Sequence, residues 1–384
     1  MNGFRYTSYA QEIIFGPGSL VRLDEAVEGF HWQRLLLCST GTLQRDGTIA
    51  SLEEALAKRL VAVYAHVQPH VPDFQVVEAT ALAHENEVDA VIGLGGGSAI
   101  GMAKAVSLSL EESRKGRPAR AAFPTDQPLV PVVAIPTTYA GSEMTPTYGV
   151  THLENGLARK VTVTDAKVTP KLTIYDPVLT LKLSPAMTAS TGINALAHCI
   201  EALYSLTRNP LSTAAATSGV HAITSALPRC YAAGDDLEAR SEMLMGAYLA
   251  GTALSSVTMA LHHGLCHVLG GTAGVPHGVA NAIILPHAIR FNLEVTAQQL
   301  APAAAAMGIA LEGKSAEAAV EEAVQRIYAL IGQMDLPQHL RNVGVQEADL
   351  PQLAQLALQS RAVQSNPRPI TEAAQVEAVL RAAW

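Results

Sequence analysis

The residues best placed to do chemistry lie in two stretches that carry no formal charge. In residues 183–200, Asn194 and His198 stand four apart, which on a helix puts both side chains on one face. In residues 243–289, His263 and His267 repeat that spacing, and His277 follows Pro276 where a helix can begin. Four of the thirteen histidines fall within residues 262–277. A lone buried histidine is usually a hydrogen-bonded core residue; the clustering is what points to a site. Gathered imidazoles have two uses: as neutral ligands for Zn²⁺ or Fe²⁺, or as groups that hold and move protons. A catalytic metal site lacking a carboxylate leaves the dication's charge unbalanced, and Asn194 offers only a neutral carbonyl. The protonic use is therefore favoured and no metal ligand is assigned. At an ordinary pKa of ~6.5, roughly a quarter of each imidazole is charged at pH 7, and an anionic substrate raises that share.

A second candidate lies upstream. Gly93-Leu-Gly95-Gly96-Gly97-Ser98 sits where a buried strand gives way to a helix. Glycines there let backbone N–H groups approach a pyrophosphate, and the helix N-terminus adds partial positive charge. Ser98 reads as a helix cap and phosphate donor. The sixth position is Ser98 rather than glycine and the motif lies late in the chain, so an ordinary glycine turn is the alternative. The segment Ile135–Glu143 follows the next strand at the same sheet edge, where the hydroxyls of Thr137 and Thr138 are expected near a ribose or nicotinamide. A hydroxyl-rich turn capping a helix is the alternative there. After the first strand, where an acid would hold the adenosine 2′-OH, stands Ser39-Thr40, which leaves NADPH open beside NADH.

Those loops need a scaffold, and the patterning supplies one. Leu35–Cys38, Leu60–Tyr64, Val88–Leu94, Val132–Ile135 and Leu172–Tyr175 read as strands. Between the first four lie helical patterns over 51–59, 74–86 and 98–110. That alternation predicts a parallel sheet with right-handed crossovers. Asn155-Gly156, between Thr147–Leu153 and Lys160–Thr164, signals a hairpin. Beyond Ser184-Pro185, a cap followed by Pro at the first helical position, the texture becomes Ala-rich and helical to Trp384. The expectation is an α/β nucleotide-binding domain over residues 1–180 and an all-α domain over 181–384.

Composition narrows the function. With 26 basic and 34 acidic residues the net charge is −8, so nothing draws the chain to nucleic acid or an anionic membrane. Apolar residues make up 49% and charged ones 16%, which supports sizeable cores. The four cysteines form no CxxC pair, which suits a reducing cytoplasm, and no signal peptide is visible. The charge-free run 243–289 is long enough to span a bilayer, yet its histidines, glycines and Pro276 make it a buried core around a polar site.

Phe15-Gly-Pro-Gly18, Gly95-Gly-Gly-Ser98, Pro136-Thr-Thr138, Asp176-Pro177, Gly192-Ile-Asn-Ala-Leu-Ala-His198 and Pro276-His-Gly-Val-Ala-Asn281 together resemble the iron-containing alcohol dehydrogenase superfamily across essentially the whole chain. In its metal-dependent members an Asp occupies the position of Asn194; the remaining ligands map to His198, His263 and His277, with His267 a nearby active-site histidine. Asn194, with the run Pro136–Thr145, looks like the maleylacetate reductase branch, which works without a metal. That resemblance implies reduction of the maleylacetate C=C bond to 3-oxoadipate with NADH or NADPH, in aromatic-compound degradation. It also implies catalytic roles for Asn194, His198, His263, His267 and His277, and cofactor contacts at Gly95, Gly96, Gly97, Ser98, Thr137, Thr138 and Lys160. A cleft between the domains and a homodimer belong to the same expectation. The rivals are a metal-dependent alcohol or aldehyde dehydrogenase and a non-catalytic nucleotide-binding protein.

Overall fold

A computed structural model describes residues 4, 6–115, 128–154 and 157–384, which group into two compact units: Thr7–Lys182, and Leu183–Trp384 together with the described residues before Thr7. The first unit is built on a six-stranded sheet, all of whose neighbouring strands run parallel. Its strands are β1 (Glu12–Phe15), β2 (Leu35–Cys38), β3 (Leu60–Tyr64), β4 (Ala90–Gly95) and β5 (Val132–Pro136). An antiparallel pair, β6 (Thr147–Glu154) and β7 (Leu157–Thr164), precedes the last sheet strand, β8 (Leu172–Tyr175). The sheet order is β1-β8-β5-β4-β2-β3. Helices α1 (Leu23–Gly29), α2 (Gly41–Arg45), α3 (Thr48–Leu56), α4 (Asp73–Glu85) and α5 (Gly97–Lys115) fill the connections.

Burial on both faces explains why the strands read as unbroken apolar runs. In β2 every residue is buried: Leu36 and Cys38 join one core with Ala79, Ala83 and Val106, while Leu35 and Leu37 join another with Val27, Leu52 and Leu56. The turn expected at Asn155-Gly156 lies outside the described residues, although the strands on either side pair in antiparallel register. Strand β1 was not expected; it is a four-residue edge strand held by parallel pairing to β8.

The second unit is helical: α6 (Pro185–Tyr204), α7 (Pro210–Ala232), α8 (Leu237–Ser255), α9 (Leu261–Thr272), α10 (His277–Ala306), α11 (Ala316–Gln333), α12 (Leu350–Leu358), α13 (Arg361–Gln364) and α14 (Ala373–Ala383). Ser184 caps α6, its hydroxyl accepting from the Met187 N–H at 3.2 Å, and Asn209 caps α7 ahead of Pro210. Two glycines let helices close on α6. A Cβ at Gly192 would stand 2.4 Å from Leu227 of α7, and one at Gly278 would stand 2.8 Å from the Ser190 carbonyl oxygen. The charge-free run 243–289 is divided among α8, α9 and α10, and no helix among the described residues is long and apolar enough to cross a membrane.

Candidate active site

The glycine loop falls where the strand pattern placed it. Strand β4 ends at Gly95 and α5 begins at Gly97, with Gly95 at φ +141°, a region that favours glycine. Gly95 is paired with Pro136 of β5, and the Thr137 N–H donates to the Gly95 carbonyl at 3.0 Å, so the two expected loops run side by side. A Cβ on Gly96 would lie 3.1 Å from the Thr138 hydroxyl oxygen, so a side chain at that crossing requires Thr138 to give by a few tenths of an ångström. Ser98 corrects the expectation of a cap. It stands inside the first turn of α5, and its hydroxyl accepts from the His70 N–H at 3.3 Å. Ser39 is also committed elsewhere, donating to the Leu94 carbonyl at 2.9 Å from a fully buried position. Lys160 lies on β7 opposite Thr151; its side chain is outside what the structure describes.

Sequence reading missed Lys104 of α5, which is fully buried. Its ammonium donates to the carbonyls of Ser142 (2.6 Å), Thr145 (2.7 Å) and Thr147 (3.0 Å), pinning the segment that follows the Thr137-Thr138 loop. Burial pushes this lysine down to about 7, and the nearby Glu143 carboxylate opposes the shift.

In the helical unit, α6, α9 and α10 bring the expected polar residues together. The His198 and His263 rings stack with centroids 4.7 Å apart and planes 14° apart. His263 lies 6.4 Å from His267 and 6.2 Å from His277, and His267 and His277 are 5.6 Å apart, ring to ring. Asn194 sits one turn before His198 on α6, 5% exposed. His262 backs the cluster, with its Nδ1 3.2 Å from His263 Nδ1 and its Nε2 3.2 Å from the Asn281 carbonyl oxygen.

One acid stands among these imidazoles, and it overturns the expectation of a site without a carboxylate. Glu201 is fully buried on α6, with one oxygen 2.5 Å from His263 Nδ1. The other oxygen accepts from the His262 N–H at 3.0 Å and the Tyr204 hydroxyl at 3.3 Å. Glu201 thereby caps α9, whose own cap residue Ala260 has no side chain for the task. The signal was in the sequence: Glu201 ends the charge-free run 183–200 and shares a helix face with Asn194 and His198.

The charge state also differs from expectation. Burial, reinforced by repulsion among the imidazoles, pushes His263 down to about 3 and His198 well below its ordinary value. His262 is likewise down at about 3, against the pull of Glu201. These rings are neutral at pH 7, not a quarter charged. Burial raises Glu201, while the donors around it pull the other way.

The sequence profile described as iron-containing alcohol dehydrogenase matches residues 10–177, and that of the Fe-containing alcohol dehydrogenase family C-terminal region matches residues 188–384. The chain belongs to the iron-containing alcohol dehydrogenase family. Within it, the maleylacetate reductase of Pseudomonas knackmussii is 37% identical over 372 residues, 97% of this chain and 95% of that one. The crystal structure of maleylacetate reductase from Agrobacterium tumefaciens is 33% identical with a TM-score of 0.84, covering 100% of this chain and 99% of the other. A 1,3-propanediol oxidoreductase structure is 31% identical with a TM-score of 0.91, covering both chains fully.

Membership of an iron-named family poses the question of whether these donors suit a metal. Asn194 brings a neutral amide, and Glu201 is engaged by His263, Tyr204 and the start of α9. Among the described residues, the one trio of metal-type donors within 4.8 Å of one another is Glu201, His262 and His263. Hydrogen bonds within that trio, and to Asn281, engage both His262 nitrogens, His263 Nδ1 and Glu201, while His263 Nε2 has no hydrogen-bond partner among the described residues. Among the described residues a dication here would depend on Glu201 for its charge balance, and that carboxylate is already engaged by His263, Tyr204 and the start of α9.

Proposed function

We propose that this enzyme reduces maleylacetate to 3-oxoadipate, taking hydride from NADH or NADPH and using no metal. The observation that carries the reading is the cluster of neutral imidazoles beside Asn194 in a chain 37% identical, over nearly its full length, to a maleylacetate reductase. The substrate is an enone with two carboxylates. Hydride adds to the carbon β to the ketone, the C=C electrons become an enolate, and a proton then completes the α-carbon. The enolate oxygen requires hydrogen-bond donors, which His198, His267, His277 and the Asn194 amide supply in this reading. The substrate's carboxylates favour the charged form of any imidazole beside them, so binding also loads the proton that the α-carbon receives.

The glycine loop supports nucleotide binding: Gly95 and Gly96 leave the backbone open where α5 begins. We assign Gly97, Ser98, Thr137, Thr138 and Lys160 to the same cofactor, and place the enzyme in the cytoplasm as a homodimer serving aromatic-compound degradation. The deciding experiment is NADH oxidation with maleylacetate after exhaustive chelation. Fast turnover in the metal-free protein is expected. No turnover, with aldehyde reduction restored by Fe²⁺ or Zn²⁺, would replace this reading with a metal-dependent alcohol dehydrogenase.

A further inference from the structure

We propose that Glu201 is a positioning residue for this reduction: with His262, it locks His263 in the tautomer that carries its hydrogen on Nδ1 and turns a bare Nε2 to the substrate. The argument starts at Asn281. Its backbone carbonyl can only accept and, at 3.2 Å, is the nearer partner of His262 Nε2, whose other neighbour is the weakly hydrogen-bonding Cys266 thiol at 3.8 Å; Nε2 therefore donates to the carbonyl, and a neutral His262 then has a lone pair on Nδ1. That lone pair faces His263 Nδ1 at 3.2 Å. Two lone pairs at that distance repel, so the hydrogen between them belongs to His263. The Glu201 oxygen 2.5 Å from the same nitrogen accepts it as well. The carboxylate's other oxygen accepts from the His262 N–H and the Tyr204 hydroxyl, so Glu201 cannot rotate away from the ring.

His263 is thereby left with a single exchangeable position. Its Nε2 is buried and has no hydrogen-bond partner among the described residues. A proton arriving there has one exit: it passes to the enolate carbon, whose electron pair forms the new C–H bond, and the ring returns to the same neutral tautomer. Without Glu201, the hydrogen on Nδ1 is no longer fixed and Nε2 stops being the only proton-bearing atom open to the substrate. Glu201 also caps the helix that carries His263 and His267, so one carboxylate sets both ring position and tautomer.

The test is ¹⁵N NMR of histidine-labelled protein, wild type and Glu201→Gln, with steady-state rates for both. Wild-type His263 is expected to show a protonated Nδ1 and an unprotonated Nε2. In Glu201→Gln the amide oxygen keeps the His262 N–H and the NH₂ faces His263 Nδ1 against the pull of the His262 lone pair, so His263 no longer holds one tautomer and populates both. With it kcat falls by ~10²-fold, the thermal midpoint and the cofactor KM stay near wild type, and Glu201→Asp recovers at least about tenfold of the loss. A wild-type spectrum with the hydrogen on Nε2 overturns the proposal even if the variant does not fold. Glu201→Gln with an unchanged His263 signature and kcat within about twofold also overturns it. The NMR arm needs no substrate. Failure of the wild type to reduce maleylacetate would therefore reject the proposed reaction and leave the tautomer to be judged by itself.

Discussion

Gly278→Ala isolates how finely α10 is placed against α6. Gly278 follows His277 directly, and an added Cβ would stand 2.8 Å from both the Cβ and the carbonyl oxygen of Ser190 and 2.9 Å from its carbonyl carbon. Those atoms include α6 backbone, which cannot rotate aside. Carbon contacts settle near ~3.5–4.0 Å, so the start of α10 must retreat by about 0.7–1.2 Å. His277 moves with it, away from the helix bearing Asn194 and His198. Overpacking of this kind costs about 1–3 kcal/mol, and alanine's better helix propensity returns about 1 kcal/mol. The net stability loss is therefore small, about 0–2 kcal/mol. Catalysis is more sensitive, because a shift of ~1 Å in a reacting group can cost ~10²-fold. The expected signature is a kcat down by ~10²-fold with a slightly lowered urea midpoint. Gly271→Ala, where nothing lies within 4 Å of the added Cβ, is the control and should match wild type. A Gly278→Ala enzyme with kcat within about twofold of wild type and an unchanged midpoint would refute the reasoning.

His198→Ala and His263→Ala should each lower kcat/KM by ~10²-fold or more in NADH oxidation, and wild-type rates in both would remove the imidazoles from the chemistry. Gly96→Ala crowds the Thr138 side chain and should raise the cofactor KM by about tenfold with kcat little changed; an unchanged KM in initial-rate kinetics would count against the loop as the nucleotide site. Lys104, at about 7 when folded, releases its proton well before the unfolded chain does at ~10.4. The folded state bears the cost of that buried charge in full below pH 7 and loses it as pH rises toward 10. Between pH 7.5 and 9.5, wild type should therefore gain about 1.4 kcal/mol per pH unit relative to Lys104→Met in urea unfolding, and parallel curves would sink this account.

Much of the scaffold was legible because local physics suffices for it. Strands β2, β3 and β8 are buried well enough to read as apolar runs, and Ser184-Pro185 announces α6 by capping chemistry alone. Strand β1 escaped notice because Ile14 is its one deeply buried residue and β8 supplies the pairing that makes it a strand. Lys104 looked like any helical lysine until the Ser142–Thr147 segment folded over it.

At the site, the division follows the range of the forces involved. Helical spacing is local, so the sequence alone put Asn194 and His198 on one face, His263 and His267 on another, and glycines between β4 and α5. Charge state is not local. It depends on how much water is removed and which groups arrive from elsewhere in the chain. Only the packing of α6 against α9 and α10 could stack His198 on His263, neutralise the imidazoles and set Glu201 against both a ring nitrogen and an uncapped helix start. The residue types and their faces were written in the sequence. Their protonation, and with it their chemistry, was decided when burial brought them together.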